Sequence, residues 1–254
     1  IAPFNFPMNL AVHKIAPAIA AGNPIILKPA RSTPLSVLEL ARIIDETALP
    51  KGALSILPMD REAGNQLVTD ERIKMLSFTG SPEVGWKMKS QAGKKKVVLE
   101  LGGNAGVIIT ETANLEHAVS RSIIGGFAYS GQVCIHAQRF IVQEKVFEKF
   151  INLFIQNTKK LEYGDPLNHE TDVSSMIDEE NAIRVESWVN EAKENGAKLL
   201  YGGNRQGSYY EPTIITNTSL DMKVCSNEVF GPVVTIEKYD KFAEAVDYIN
   251  NSRY

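Results

Sequence analysis

The chain has 254 residues, of which 44% are hydrophobic and 22% charged, and this suits one large α/β domain or two smaller ones. Its 27 basic and 30 acidic residues give a formal charge of −3, which argues against a basic nucleic-acid-binding surface. No stretch approaches the ~18 consecutive apolar residues of a membrane helix. The two cysteines, Cys134 and Cys225, form no disulfide framework, so the expected compartment is the reducing cytosol.

The first hundred residues alternate between helical and strand-like patterns. Apolar residues recur at helical spacing from Leu10 to Ile19, with Pro17 inside the pattern, and Gly22-Asn23 ends this helix. Ser32-Thr33 is predicted to cap the next helix, with Pro34 at its first position, and a third helix is predicted over 62–69. Short apolar strands are predicted at 24–27, 54–57, 75–78 and 97–101. This alternation predicts a doubly wound parallel sheet.

Beyond residue 100 the pattern changes, and a second α/β domain is predicted. Strands are expected at 107–109, 139–142, 197–200, 212–215 and 233–238, and helices at 114–128, 145–160, 178–195 and 241–250. Gly102-Gly103 is the predicted hinge, so the expected domains are residues 1–102 and 103–254. Ile1 begins the chain without a methionine or a signal segment, and we interpret the sequence as a fragment of a longer protein.

A turn between a predicted strand and a predicted helix contains Gly80 and Ser81, followed by Gly85. Glycine at such a turn lets the backbone approach a phosphate, whose charge the amides of the helix N-terminus stabilise. The spacing is not that of G-x-G-x-x-G, so a purely structural turn remains the alternative.

Cys134 lies in a small, polar stretch, Ser130-Gly131-Gln132-Val133-Cys134. A lone thiol is either a nucleophile or an apolar space-filler, and the stretch alone leaves both open. A Cys134–His136 pair is not expected, because side chains two positions apart do not readily reach each other. The remaining histidines show no i, i+4 pair, so no metal site is predicted.

Glu100 interrupts an apolar strand. A buried carboxylate there would have a raised pKa and could act as a general base. The alternative is a carboxylate satisfied by the backbone amides of the glycines that follow it.

Six motifs occur in order along the chain: APFNFP at 2–7, LKPA at 27–30, FTGS at 78–81, ELGGN at 100–104, GQVC at 131–134 and NEVFGP at 227–232. Together they resemble the aldehyde dehydrogenase superfamily, and the resemblance covers the whole chain. It implies that the first part of the cofactor domain and a C-terminal segment lie outside this sequence. It also implies a cofactor domain over 1–102 and a catalytic domain over 103–254.

The resemblance implies a non-acylating enzyme that oxidises an aldehyde to a carboxylic acid. Cys134 would attack the aldehyde to give a thiohemiacetal and then a thioester. Asn5 and the backbone N–H of Cys134 would stabilise the oxyanion. Glu100 would activate the water that hydrolyses the thioester.

The resemblance also implies a nicotinamide cofactor, NAD or NADP. Lys28 would hold a ribose hydroxyl and Ser81 the pyrophosphate, within the turn of Gly80 and Gly85. Glu228 would hold the nicotinamide ribose, with Phe230 beside the ring. Arg31 occupies a position where many NAD-preferring members carry glutamate, and its planar donor group suits the 2′-phosphate of NADP.

The expected partner is a small aldehyde, with no nucleic acid and no membrane, and the full-length protein is expected to be a cytoplasmic homo-oligomer. The chain alone is expected to be inactive. One alternative is a CoA-acylating member, in which CoA resolves the thioester, and Glu100 argues against it. The other is a non-catalytic structural role, against which Asn5, Glu100 and Cys134 argue for the parent protein.

Overall fold

The computed structural model describes residues 1–254, which divide into two compact units, Ile1–Gly102 and Gly103–Tyr254. Both units combine helices with parallel strand pairs, so the predicted α/β class is confirmed. None of the helices has the length and apolar character needed to cross a membrane.

The first unit alternates helices and short strands. Its helices are α1 (Pro7–Ala20), α2 (Leu35–Asp45), α3 (Arg61–Thr69) and α4 (Pro82–Gln91). Its strands are β1 (Ile25–Leu27), β2 (Leu54–Ile56), β3 (Met75–Gly80) and β4 (Lys96–Leu101). The strands pair in parallel as β1 with β2 and β3 with β4, and a helix crosses over within each pair, as parallel neighbours require.

The first residues of the chain connect these two strand pairs. The amine of Ile1 donates to the carbonyl of Ser77 at 2.8 Å, and the carbonyl of Ile1 accepts from the N–H of Thr79 at 3.2 Å. On the other side, the N–H of Ala2 donates to the carbonyl of Lys28 at 3.0 Å. Residues that follow β1 and end β3 are therefore held near one another, at the carboxyl ends of the strands.

The ends of two helices test the predictions made from glycine and proline. Helix α1 continues through Pro17 and closes at Gly22, whose φ of +70° is readily adopted only by glycine. The prediction for the start of α2 was wrong by one residue: Pro34 is the N-cap, and Leu35 is the first helical residue. The hydroxyl of Thr33 does not cap this helix, because it donates to the carbonyl of Phe4 at 3.4 Å.

The second unit is built on a five-stranded sheet. Its strands are β5 (Ala105–Ile109), β6 (Ala137–Gln143), β7 (Lys198–Tyr201), β10 (Thr213–Thr216) and β11 (Val233–Tyr239), in the order β5-β6-β11-β10-β7. All neighbours are parallel except the antiparallel edge strand β7. The helices are α5 (Leu115–Phe127), α6 (Glu144–Thr158), α7 (Glu179–Glu194), α8 (Lys223–Ser226) and α9 (Phe242–Asn250). The hairpin of β8 (Arg205–Gln206) and β9 (Tyr209–Tyr210), like α8, is too short for a periodic sequence pattern and was not predicted.

Two apolar cores cover the two faces of this sheet. Ile214 and Val234 pack with residues of α5 and α6, whereas their neighbours Ile215 and Val233 pack with residues of α7 and α8. Successive strand residues point to opposite faces, so α5 and α6 cover one face and α7 and α8 the other. This places the end of α5 against the sheet just before the residues that lead into β6.

Replacing Phe154 should destabilise the core beneath α6. Its ring is fully buried, with ring centroids of Phe127, Phe140 and Phe150 at 5.5–5.9 Å. Phe154→Ala should lower the free energy of unfolding by about 3–5 kcal/mol, measured by urea denaturation. Phe242, which is 58% exposed, is the matched control, and similar losses in the two variants would contradict this packing.

Candidate active site

The backbone that leads to Cys134 is strained. Tyr129, Ser130 and Gly131 all have left-handed backbone conformations, with φ of 58°, 55° and 67°. Only glycine adopts this conformation freely, and residues held in sparsely populated conformations cost about 1–3 kcal/mol each. Such strain persists only where the surroundings impose it, and it clusters at functional sites.

The side chains of Ser130 and Gln132 bond this turn to the segment that precedes α7. The hydroxyl of Ser130 donates to the carbonyl of Ser174 at 2.7 Å. The side-chain oxygen of Gln132 accepts from the N–H of Ile177 at 3.0 Å. Both Ser130 and Gln132 are buried, so the turn is anchored from beneath.

Cys134 itself is exposed, in contrast to its anchors. A backbone hydrogen bond of 3.0 Å from His136 to Val133 closes a tight turn around it, and Ile135 beside it is 80% exposed. The geometry therefore presents a free thiol and the adjacent backbone on the surface of this unit.

As expected from the sequence, His136 does not pair with the thiol of Cys134. Its imidazole is 3% exposed, and Nε2 lies 2.8 Å from the carbonyl oxygen of Gly126, near the end of α5. Because a carbonyl only accepts, Nε2 carries the hydrogen. Burial lowers the pKa of His136 to about 4, so the ring is neutral at neutral pH and supplies no cation to Cys134.

The turn before Cys134 packs directly on the segment that contains Glu228 and Phe230. A β-carbon added to Gly131 would lie 2.1 Å from the carbonyl oxygen of Gly231, a distance that no side chain tolerates. Phe230, immediately before Gly231, is itself left-handed with a φ of 48°. The two strained segments are thus in backbone contact.

Glu228 is partly buried in the same unit. Burial raises its pKa to about 7, while the N–H of Gly103 and the charge of Arg184 act in the opposite direction. The Gly103 N–H donates to Oε1 of Glu228 at 3.3 Å. A carboxylate that titrates near neutral pH and keeps one oxygen free can accept hydrogen bonds from a ligand hydroxyl.

Glu100, in the other unit, corrects one expectation. The strand prediction was right, but the carboxylate is exposed rather than buried. Side chains alternate along β4, and Val97, Leu99 and Leu101 take the more covered face, which leaves Glu100 on the open one. The expected burial of Glu100 is therefore wrong, and its carboxylate is accessible to water.

Lys14 and Asn5 lie in the same unit as Glu100. The Lys14 ammonium donates to the hydroxyls of Thr79 at 2.8 Å and Ser77 at 3.0 Å. Burial lowers the pKa of Lys14, and the negative charge of Glu100 raises it. Asn5 is buried, with 4% of its surface exposed, just before α1.

Positive charge gathers where β1 and β2 end. Lys28 directly follows β1, Arg31 lies three residues later, and Arg61 begins α3 after β2. The pKa of Lys28 is lowered by burial and by the charges of Arg31 and Arg61, and the nearby Asp60 raises it. Gly64 of α3 packs against this lysine, because a β-carbon there would lie 2.9 Å from Cε of Lys28. Such a cationic edge suits a phosphate-bearing ligand.

Ser81 and the glycines around it join β3 to α4. Ser81 is the N-cap of α4, but its hydroxyl forms no capping bond, so the first turn keeps donors for an anion. Gly80 ends β3 beside it. Gly85 is buried, and a β-carbon there would lie 2.5 Å from Leu101, so this glycine brings α4 close to β4 rather than lining an open surface.

Sequence reasoning missed Arg61 and Gln138. Arg61 opens a helix, a position with no motif, and only the pairing of β1 with β2 brings it near Lys28. Gln138 is fully buried in β6. A polar residue at a core-facing position in an apolar strand was the available signal. No group of three or more His, Cys, Asp or Glu residues that could hold a metal ion occurs in the structure.

The aldehyde dehydrogenase family model matches residues 1–254. The chain belongs to the aldehyde dehydrogenase family. It is 47% identical over its whole length to a 3-sulfolactaldehyde dehydrogenase from Priestia aryabhattai and 41% identical to a lactaldehyde dehydrogenase from Methanococcus aeolicus.

Solved aldehyde dehydrogenase structures agree in fold. Aldehyde dehydrogenase 21 from Physcomitrella patens, in complex with the reaction product succinate, is 48% identical with a TM-score of 0.97. A glyceraldehyde-3-phosphate dehydrogenase from Methanocaldococcus jannaschii, complexed with NADP, is 41% identical with a TM-score of 0.96. Both matches cover all of this chain but 53% and 57% of the other chains. The chain likewise spans about half the length of the curated relatives it matches, 54% and 56%.

Gly131→Ala should disrupt the turn before Cys134. The variant must hold alanine in a left-handed conformation and also displace Gly231. We therefore expect its free energy of unfolding to fall by about 1–3 kcal/mol more than that of a variant in which only the left-handed conformation is unfavourable. Gly207→Ala is that control, because Gly207 has a φ of 58° with no atom within 4 Å of an added β-carbon. Urea denaturation of both variants measures the difference, and equal losses would show that the Gly131–Gly231 contact is not tight.

Proposed function

We propose that the complete protein oxidises a small aldehyde to a carboxylic acid with NAD or NADP. In this proposal, residues 1–102 contribute to the cofactor domain and residues 103–254 to the catalytic domain. The observation that supports it most directly is the exposed Cys134 on a strained, doubly anchored turn. Maintaining that strain is hard to explain by packing alone, and it suits a nucleophile that must be held in one orientation.

In the first step, the Cys134 thiolate attacks the aldehyde carbon. A carbon–sulfur bond forms, the carbonyl electron pair moves to oxygen, and the product is a thiohemiacetal oxyanion. The backbone N–H of Cys134 and the side-chain amide of Asn5 are the proposed donors to that oxygen. The anchors at Ser130 and Gln132 would hold the Cys134 N–H in place before the charge develops.

The cofactor-binding residues fit a dinucleotide. The cationic edge of Lys28 and Arg31 and the N-terminus of α4 at Ser81 suit its ribose and phosphates, and Glu228 suits the second ribose. When bound, NAD or NADP would supply the hydride acceptor needed for the Cys134 thiohemiacetal to become a thioester. Phe230 would lie beside the nicotinamide ring.

Glu100 is proposed to complete the cycle as a general base. Its carboxylate takes a proton from water, and the resulting hydroxide oxygen bonds to the thioester carbon. The carbon–sulfur bond then breaks, which releases the carboxylic acid and regenerates the Cys134 thiolate. The exposure of Glu100 supports this step because water reaches it. The Lys14 ammonium is the positive charge that interacts electrostatically with the Glu100 carboxylate.

Lactaldehyde and 3-sulfolactaldehyde are the first aldehydes to test, because relatives are named for them. Both carry a hydroxyl on the carbon adjacent to the aldehyde carbon. We further propose a homo-oligomer for the complete protein, and we expect activity from the complete protein rather than from these 254 residues.

Variants of Cys134 and Glu100 should fail at different steps. In the complete protein, Cys134→Ala should abolish both the burst of reduced coenzyme and turnover. Glu100→Gln should retain the burst but lower steady turnover by about 10²–10⁴-fold, because an amide cannot take a proton from water. Stopped-flow absorbance with an accepted aldehyde measures both phases.

Cys225→Ser and Glu194→Gln are the matched controls: Cys225 is buried, with burial raising its pKa, and Glu194 is exposed on α7. Normal steady turnover in Glu100→Gln would refute its role as base. Turnover that requires added CoA would instead identify a CoA-acylating enzyme, and an aldehyde-insensitive thiol in an inactive wild type would indicate a non-catalytic protein.

Arg31 should favour NADP over NAD. A glutamate at this position would repel a 2′-phosphate, whereas a guanidinium offers charge-assisted hydrogen bonds to it. Arg31→Glu should therefore lower the ratio of kcat/KM for NADP to that for NAD by about 10–150-fold. Steady-state kinetics with each coenzyme measures the ratio.

Arg121→Glu makes the same charge change at an exposed arginine of the other unit and should leave the ratio unchanged. If the wild-type ratio of kcat/KM for NADP to that for NAD lies well below one and Arg31→Glu does not change it, Arg31 does not contact the phosphate.

A further inference from the structure

Gln138 is a fully buried amide in β6, four positions beyond Cys134. Burying an amide costs free energy unless its hydrogen bonds are satisfied. An apolar residue would fill the same volume in this strand without that requirement. The hydrogen-bond partners of Gln138 therefore indicate what the amide is for.

All three partners lie in one short segment of backbone. The side-chain nitrogen donates to the carbonyls of Val224 at 2.9 Å and Asn227 at 2.8 Å. The side-chain oxygen accepts from the N–H of Val229 at 2.9 Å. Both hydrogens of the amide nitrogen and one lone pair of its oxygen are thus engaged.

These bonds hold the backbone on both sides of Glu228. Asn227 and Val229 lie between α8, which ends at Ser226, and β11, which begins at Val233, and neither a helix nor a sheet satisfies the carbonyl of Asn227 or the N–H of Val229. Side chains do so instead: Gln138 bonds the residues before and after Glu228, and Arg184 donates to the carbonyl of Val229 at 2.9 Å.

Gln138 is itself fixed by the sheet. Strand β6 lies between β5 and β11 and is hydrogen-bonded to both. Arg139, the next residue, is also buried, and its Nε donates to the carbonyl of Asn104 at 3.0 Å. The rigid strand that follows the Cys134 turn is therefore the same strand that orients the Glu228 segment.

We propose that Gln138 is a positioning residue for the coenzyme, acting through Glu228. The inference rests on the proposed function, in which Glu228 binds the nicotinamide ribose. Gln138 holds the backbone of residues 227–229 so that the Glu228 carboxylate is oriented for the ribose hydroxyls before the coenzyme arrives. Without these bonds, the carboxylate would sample other orientations, and the entropy lost on ordering it would weaken coenzyme binding.

A double-mutant cycle tests this dependence in the complete protein. Gln138→Met removes the amide with little change in volume, and Glu228→Gln removes the carboxylate charge. Each single variant should raise the coenzyme Kd, measured by titration calorimetry, by about 10-fold. The double variant should be no more than about 2-fold weaker than the weaker single variant, because the two residues act as one unit. We expect kcat at saturating coenzyme to change much less than Kd.

Gln206→Met, at an exposed glutamine of β8, is the control and should bind coenzyme like the wild type. Gln138→Asn keeps the amide but shortens it by one methylene, and it replaces the methionine variant in the cycle if that variant does not fold. Independent, multiplying losses in the double variant would overturn the proposal and leave Gln138 a merely structural residue, as would an unchanged Kd in Gln138→Met. A wild-type protein that binds neither NAD nor NADP would overturn the proposed function itself, and this inference with it.

Discussion

The close approach of Gly131 to Gly231 is the constraint on which the rest of the second unit, Gly103–Tyr254, depends. It places a left-handed turn, which no ordinary sequence favours, directly against the segment of Glu228 and Phe230. Because even a β-carbon on Gly131 would clash with the backbone of Gly231, the thiol turn and the proposed coenzyme segment constrain each other's conformation. Ser130, Gln132 and Gln138 then fix that geometry to the surrounding backbone from below.

In this arrangement, the residues that hold the strained turn are different from Cys134, the proposed nucleophile. The residues that impose the strain are buried, whereas Cys134 is exposed and forms none of the anchoring bonds. A nucleophile must be free to change its bonding, and its backbone N–H must not move while charge develops nearby. Buried anchors on either side of an exposed cysteine meet both requirements.

The elements of the fold could be predicted because their patterns are local. Helix α7 was expected at 178–195 and lies at Glu179–Glu194, and β11 was expected at 233–238 and lies at Val233–Tyr239. The candidate cysteine and the motif segments also stand out in the sequence, because small residues and glycines around a lone thiol or after a strand are unusual. The family resemblance then assigned roles that composition and spacing alone left open.

What escaped prediction depends on which strand faces meet and which loops touch. Glu100 sits in an apolar strand, and only the alternation of β4 in the folded unit shows that its carboxylate faces outward. Arg61 has no motif, and it joins the cationic edge because β1 and β2 pair in parallel. Gln138 appears as one polar letter in a strand, and its purpose becomes visible only when the segment around Glu228 folds back over it.

Cys134 is proposed to carry the substrate as a covalent intermediate. The most direct measurement is mass spectrometry of the complete Glu100→Gln protein, acid-quenched after mixing with an accepted aldehyde and coenzyme, followed by mapping of its peptides. A thioester adduct with the mass of the acyl group is expected on the peptide that contains Cys134, and none is expected on the peptide that contains the buried Cys225. An adduct elsewhere, or reduced coenzyme formed with no adduct on Cys134 at any quench time, would contradict it.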